Sequence, residues 1–316
     1  MLQKKVIAVM GATGAQGGGL VRAIHADRDG PFTARAITRK PDSERAQALA
    51  TLGMQIVAGD ADDPPSLERA FAGAHGVFCV TNFWEHFSPD RETDQATAMA
   101  RASRKAGVHH VVWSTLEDTR TAVPLDDDRL PTLQSKYKVP HFDAKGAMDR
   151  VFAEEAAPTT YLLAAFYWEN FIHFGMGPRK APDGELVLAL PLGGVKLPGI
   201  AAEDIGKCAY GVFRRGTGTV GQRFGIAGDV LSGNEMAAKM GRALGRTVRF
   251  EDVPFDVYRG LGFPGADDLA NMFQYQAILG EKFLRSRSPE VTRSLNPQVL
   301  SFDAWLERNA NRIPIG

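Results

Sequence analysis

Residues Val6–Leu20 read VIAVMGATGAQGGGL, a short apolar stretch of strand character running into five glycines within nine positions. Gly11, Gly14 and Gly17 form G-x-x-G-x-x-G where the strand gives way to an amphipathic helix. Such spacing has a physical use at a strand–helix junction. Gly11 permits a tight turn, Gly14 lets the backbone approach a pyrophosphate with no Cβ in the way, and Gly17 lets the helix pack closely on the sheet. A helix beginning near Ala15 then turns its free N–H groups and positive dipole end toward the phosphates.

Working outward, short apolar runs alternate with amphipathic ones: VIAVMG, GGGLVRAIHAD, TARAIT, SERAQALATLG, QIVAGD, SLERAFAGA and GVFCV. That alternation predicts βαβ units and a buried parallel sheet. The pattern predicts a helix over Glu92–Gly107, with acids first, bases last and a glycine stop, then a fifth strand in HHVVWST and a sixth in TTYLLAA. Beyond about Tyr167 the rhythm changes. ELVLALPLGGVKLPGI predicts a hairpin, AAEDIGKCAYGVFRRG a helix, GQRFGIAG a strand, and SGNEMAAKMGRALG a helix with a Ser232/Glu235 capping box. RTVRFEDVP adds a strand and ADDLANMFQYQAILGEKFLRS a helix. The expected fold is α/β: a Rossmann-type doubly wound parallel sheet in residues 1–166 and a smaller, partly interwoven C-terminal α/β lobe in 167–316. Parts of about 197–228 return to the first domain.

Composition narrows the partners. Of 316 residues, 44% are hydrophobic, and 37 Lys and Arg balance 37 Asp and Glu, so no global field draws the chain to nucleic acid or an anionic membrane. No apolar run approaches the roughly 20 residues that span a bilayer, which places the expected location in the cytoplasm. Cys79 and Cys208 sit in apolar patterns as buried thiols, and no metal-ligand spacing occurs.

The end of the second strand, ARAITRKP, selects the cofactor. An NAD site usually carries a carboxylate there for the ribose 2′-hydroxyl; here Arg39 and Lys40 stand where a 2′-phosphate would sit. The expected cofactor is NADP(H). After the third strand, Asp60, Ala61 and Asp62 lie where the adenine would be contacted, and Asp63 ahead of Pro64 is placed as a helix N-cap.

GATGAQGG, TRKP, GDADD, VTNFWE, HFDAKG, FYWENF, KAPDG and GFPGADDLANMF occur in an order and spacing that resembles the NmrA-like family of atypical short-chain dehydrogenase/reductases, closest to its NADPH-sensor branch. The resemblance covers nearly the whole chain. It implies cofactor contacts by Thr13, Gln16, Gly17, Arg39, Asn82, Phe83, Trp84 and Lys145, and by the Tyr167–Asn170 segment with Tyr167, Glu169 and Asn170. Phe166 and Trp168 are expected to plug the seam between the lobes.

Catalytic members of the superfamily use Ser at the end of the fifth strand and Tyr-x-x-x-Lys on the next helix. Here Ser114 and Lys145 are present, with His141 at the tyrosine position. His141 and Lys145 are four apart and share a helix face. Tyr137 cannot substitute, because Pro140 keeps Val139 from helical geometry and separates the tyrosine from the Lys145 helix. Histidine transfers protons near neutral pH, but equally caps helices or bonds a backbone carbonyl. Leu116–Pro140, long and without periodicity, is expected to be a mobile segment ordered by cofactor. Together with the resemblance, the missing tyrosine favours an NADP(H)-binding redox sensor that acts through cofactor-dependent conformational change and a regulatory partner, a homodimer being compatible. The alternative is an NADPH-dependent reductase of a small carbonyl or conjugated substrate.

Overall fold

A computed structural model describes residues 3–155 and 157–315. Its strands are β1 (Lys5–Val9), β2 (Phe32–Thr38), β3 (Gln55–Ala58), β4 (Gly76–Cys79), β5 (His110–Thr115), β6 (Thr159–Leu163), β7 (Phe166–Tyr167), β8 (Arg179–Lys180), β9 (Leu186–Leu190), β10 (Leu197–Ile200), β11 (Arg223–Gly225), β12 (Asp229–Leu231) and β13 (Val248–Asp252). Seven of them form one sheet in the order β11-β6-β5-β4-β1-β2-β3, parallel throughout. Every residue of β4, β5 and β6 is buried, as strands covered on both faces require. This is the Rossmann-type α/β architecture expected.

Helices cover both faces. On one side lie α1 (Ala15–Ala26) and α2 (Glu44–Thr51), on the other α3 (Pro64–Phe71), α4 (Pro89–Lys105) and α5 (Pro140–Glu154). After α6 (Asn170–His173), α7 (Ala202–Arg215) returns to pack against α1. The two helices meet glycine to glycine. A Cβ on Gly19 would stand 2.2 Å from the Glu203 carbonyl oxygen, and one on Gly206 2.2 Å from that of Gln16. β11 then completes the sheet beside β6.

A second core gathers β9 and β13 with α8 (Gly233–Leu244), α9 (Phe255–Arg259), α10 (Ala266–Leu279), α11 (Glu281–Arg285) and α13 (Phe302–Asn309); α12 (Pro289–Leu295) packs on α7. The Ser232/Glu235 capping box is formed.

Three local expectations change. The helix expected from Glu92 starts three residues earlier, at Pro89, because Ser88 caps it by accepting from the Arg91 N–H and Pro89 fits the first turn. The 186–200 stretch is not a hairpin. β9 pairs with β8 and β13 whereas β10 pairs with β7 and β12, since the Asp252 carboxylate gathers the N–H groups of Leu192, Gly193 and Gly194 at 2.7–2.9 Å and turns the chain into another sheet. The last long helix breaks at Gly280, whose φ is +50°.

Candidate functional site

In an open parallel sheet the crevice lies beyond the carboxyl ends of the strands, and each strand end delivers a different group there. After β1 the chain turns at Gly11, with φ +60°. A Cβ on Gly17 would meet the carbonyl oxygens of Gly11 and Met10 at 2.4 and 2.6 Å, so only glycine lets α1 start this close to the strand. Gly14 is the N-cap, no side chain caps the helix and no acid stands in its first turn. Gly11, Gly14 and Ala15 are exposed and Thr13 is half-buried, leaving the N–H groups of the first turn open to an anion.

Gln16 links three strand ends. Its amide oxygen accepts from the Ser114 hydroxyl at 2.8 Å, and its amide nitrogen donates to the Tyr167 hydroxyl at 2.5 Å. Burial pushes the Tyr167 phenol up to about 12, so it stays protonated at neutral pH. Thr115 instead faces away into a bond with Asp149 at 2.7 Å.

At the β2 end Arg39 and Lys40 are exposed, but Arg39 is paired with Glu85 at 2.5 Å. Asp62 is held by Arg91 and by Gln95 at 2.9 Å, and the Arg91 guanidinium keeps its carboxyl below the usual range. Asp60 accepts from the Asp62 N–H, and Ala61 is half-buried between them. Asp63 is the N-cap residue of α3, yet its side chain makes no capping bond; the Ser66 hydroxyl donates to its carbonyl instead.

Lys145 reaches from α5 to the β4 end. Its ammonium lies 2.7 Å from Glu92 Oε1, 2.5 Å from the Thr81 hydroxyl and 3.2 Å from the Thr81 carbonyl, and sits over the Trp113 ring. Glu92 is fully buried and also accepts from the Thr81 hydroxyl at 2.6 Å. On its other side His86 Nε2 stands 3.5 Å from Glu92 Oε2. The Ser88 N–H donates to His86 Nδ1, so the neutral ring carries its proton on Nε2, yet neither Nε2 nor Glu92 Oε2 has a hydrogen-bond partner among the described residues.

His141 is one turn along α5, and no hydrogen bond joins it to Lys145. Its Nδ1 is 2.6 Å from Asp268 Oδ1 and its backbone N–H donates to Asp268 Oδ2 at 3.1 Å, tying α5 to α10. That carboxylate takes the Nδ1 side and leaves Nε2, which has no protein partner among the described residues, as the nitrogen able to exchange a proton. Trp84, Phe142 and Phe83 cover the ring, with centroids 4.8, 4.8 and 5.9 Å away. Asp268, but not His141, lines a cavity of about 240 Å³ together with Phe83, Phe87, Pro140, Pro264 and Asp267.

The remaining residues divide. Asn82 is exposed and Asn170 half-exposed, and neither side chain has a partner among the described residues. Glu169 is committed elsewhere: its carboxylate accepts from the Ala202 N–H at 2.9 Å, at the start of α7, and from the Trp305 indole at 3.0 Å. Phe166 and Trp168 are buried in the second core. Tyr137 precedes α5 and donates to Asp90. Both thiols are fully buried, burial raises both, and no metal-binding group of His, Cys, Asp or Glu occurs among the described residues.

Leu116–Pro140 departs from the expectation of a mobile segment. The buried Asp143 carboxylate closes it, one oxygen accepting from the Thr119 N–H and hydroxyl, the other from the N–H groups of Lys138 and Val139. Lys138 is buried and donates to the carbonyls of Asp127 and Leu130, while Val123 and Leu130 enter the second core. Asp143, Glu92, Glu85 and Asp268 were all missed as partners. Each lies inside a stretch read for another purpose, and only the fold brings it to its cation, histidine or amide.

The NmrA-like family matches residues 3–306. An NmrA-like family domain-containing oxidoreductase, FrzB, from Cladobotryum sp is 27% identical over 312 residues, covering 90% of this chain and 88% of its own. Among solved structures, NmrA, a negative transcriptional regulator in complex with NADP, superposes with a TM-score of 0.76 at 22% identity over 98% of this chain and 96% of its own. The Citrobacter sp. triphenylmethane reductase complexed with NADP(H) gives 0.75 at 19%, over 98% and 100%. No helix among the described residues is long and apolar enough to cross a membrane.

Proposed function

This chain belongs to the NmrA-like family, and we propose that it binds NADP(H) across the ends of β1, β2, β4 and β5 and acts as a redox-responsive regulator. The residues fit such a cofactor. The uncapped start of α1 would take the pyrophosphate, Arg39 and Lys40 the 2′-phosphate, and Ser114, Gln16, Tyr167, Lys145, Asn82 and Asn170 the nicotinamide half. Glu169, whose two oxygens are already engaged, is left out of this set.

The observation that carries the regulatory reading is the double duty of α5. Lys145 ties it to the β4 end and α4, and one turn away His141 ties it to α10. A cofactor that recruits Lys145 therefore pulls on the helix that holds the second core, giving its arrival a route to a partner-binding surface. Calorimetry with NADPH and NADH tests the binding. NADPH is expected to bind at least tenfold more tightly, which is about 1.4 kcal/mol, and Arg39→Ala to remove most of that margin. Equal affinities would refute the assignment.

The His141–Asp268 pair, on a helix face shared with Lys145, favours a second reading, an NADPH-dependent reductase. When bound, NADPH supplies hydride; His141 Nε2 would supply the proton, oriented by Asp268 as in other carboxylate–imidazole pairs. The two readings part on turnover. A regulator shows no substrate-dependent loss of NADPH absorbance over a broad carbonyl and quinone panel. A reductase shows one, and His141→Ala lowers its kcat by roughly 10²- to 10⁴-fold.

A further inference from the structure

The Arg39–Glu85 pair lies in an unusual place. Glu85 ends the short turn Phe83–Glu85 after β4, Arg39 follows β2 directly, and β1 lies between those strands in the sheet. Their 2.5 Å contact therefore joins segments that follow the two strands flanking β1. Both side chains remain about half exposed, at 51% and 42%, so the pair is hydrated and exchangeable. Lys40 next door has no partner among the described residues, while Asp62 is already taken by Arg91 and Gln95.

We propose that Glu85 is an internal competitor for the cofactor's 2′-phosphate: it occupies Arg39 in the empty protein and is displaced when the phosphate arrives. The inference rests on the NADP(H) reading above. A 2′-phosphate brings a group that replaces the carboxylate, with Lys40 at hand as a second cation, and displacement releases the turn that carries Trp84 onto the His141 ring. A cofactor with a plain 2′-hydroxyl brings no replacement and leaves the pair closed. Glu85 thus lowers affinity for the phosphorylated cofactor and makes that cofactor alone able to move the Phe83–Phe87 segment. Its contribution to selectivity is a cost of competition that disappears with the carboxylate.

The test is calorimetric titration of the whole chain with NADPH, NADH and adenosine 2′-monophosphate. Glu85→Gln is expected to tighten NADPH and adenosine 2′-monophosphate three- to tenfold and to change NADH less than twofold. In an Arg39→Ala background the same substitution should change each of the three less than twofold. An equal gain for NADH would mean that the pair is a strap any dinucleotide must open, and would overturn the proposal, as would no gain. A loss of affinity would make Glu85 a cofactor ligand and would overturn it too. Wild-type protein that binds neither dinucleotide would sink the NADP(H) reading and this inference together; binding with the wrong Glu85 pattern would sink this one alone. Unchanged thermal unfolding of Glu85→Gln verifies that the variant is folded.

Discussion

Replacing Lys145 with Met removes a cation from a fully buried carboxylate while keeping the volume of the side chain. Glu92 Oε1 then retains only the Thr81 hydroxyl at 2.6 Å, and Oε2 faces His86 Nε2 at 3.5 Å. Breaking one half of a buried ion pair costs about 3–5 kcal/mol. The Thr81 hydroxyl still bonds the carboxylate, which puts this site near the lower end, so Lys145→Met should cost about 3 kcal/mol. Glu92→Gln strands the ammonium less severely, because Lys145 is 13% exposed and keeps both Thr81 oxygens, and about 2 kcal/mol is expected. In the double variant neither charge is left alone. Additivity would give about 5 kcal/mol; a coupled pair should give about 2, a coupling near 3 kcal/mol at the upper end of what neighbours show. Urea denaturation of the four proteins measures the cycle, and NADPH titration of the same samples separates the roles. Both variants lacking Lys145 should bind NADPH weakly, although the double variant regains stability. A Lys145→Met cost below about 1 kcal/mol, or a strictly additive double variant, would show that Glu92 and Lys145 do not depend on each other.

Gly206→Ala should destabilise by about 3 kcal/mol and weaken NADPH binding as well, because its Cβ would press on the Gln16 carbonyl and the Leu20 nitrogen at 2.2 and 2.3 Å; thermal unfolding and titration decide, and a neutral variant would refute the close crossing. Limited proteolysis should leave Leu116–Pro140 intact without cofactor, since Asp143 and Lys138 bind it from within; ready cleavage there would contradict this. His110, buried against Thr160 at 2.8 Å, has its pKa lowered to about 4 by burial and then by His75, against 6.5 unfolded. The unfolded chain therefore takes the proton first as pH falls, and stability should drop by about 2–3 kcal/mol between pH 6.5 and 4. His110→Gln should flatten that part of the denaturation-midpoint profile, and an unchanged slope would refute the assignment.

The sheet was legible because its signals are local. Each strand of the first half is built around a short apolar core, Gly11 takes a left-handed φ that favours glycine, and Gly17 stands where the backbone leaves no room for a Cβ. Arg39 followed from its place at the end of the second strand, and Ser114 and Lys145 from the resemblance to short-chain reductases. Their partners did not. Glu92 reads as one acid in the first turn of a helix, a sufficient local role, and nothing nearby in sequence reveals that it faces Lys145 53 residues later. Asp268 and His141 are 127 residues apart. The false hairpin failed for the same reason, since the turn at Leu192–Gly194 is set by Asp252 from a strand further along the chain.

The glycine-to-glycine seat of α7 on α1 has a consequence for the order in which the protein matures. All the strand-end residues from Gly11 to Tyr167 leave the ribosome before residues 202–215, yet α1, which presents the anion-binding turn, has its outer face seated only when that later helix arrives. A nascent chain stopped short of α7 carries the phosphate-binding turn on a helix whose Gln16–Gly19 backbone lacks the Glu203 and Gly206 backbone that packs on it. Cofactor capture during synthesis is therefore expected to switch on late and abruptly, and the dinucleotide would stabilise the newly closed chain at the moment when a half-made one is most exposed to degradation.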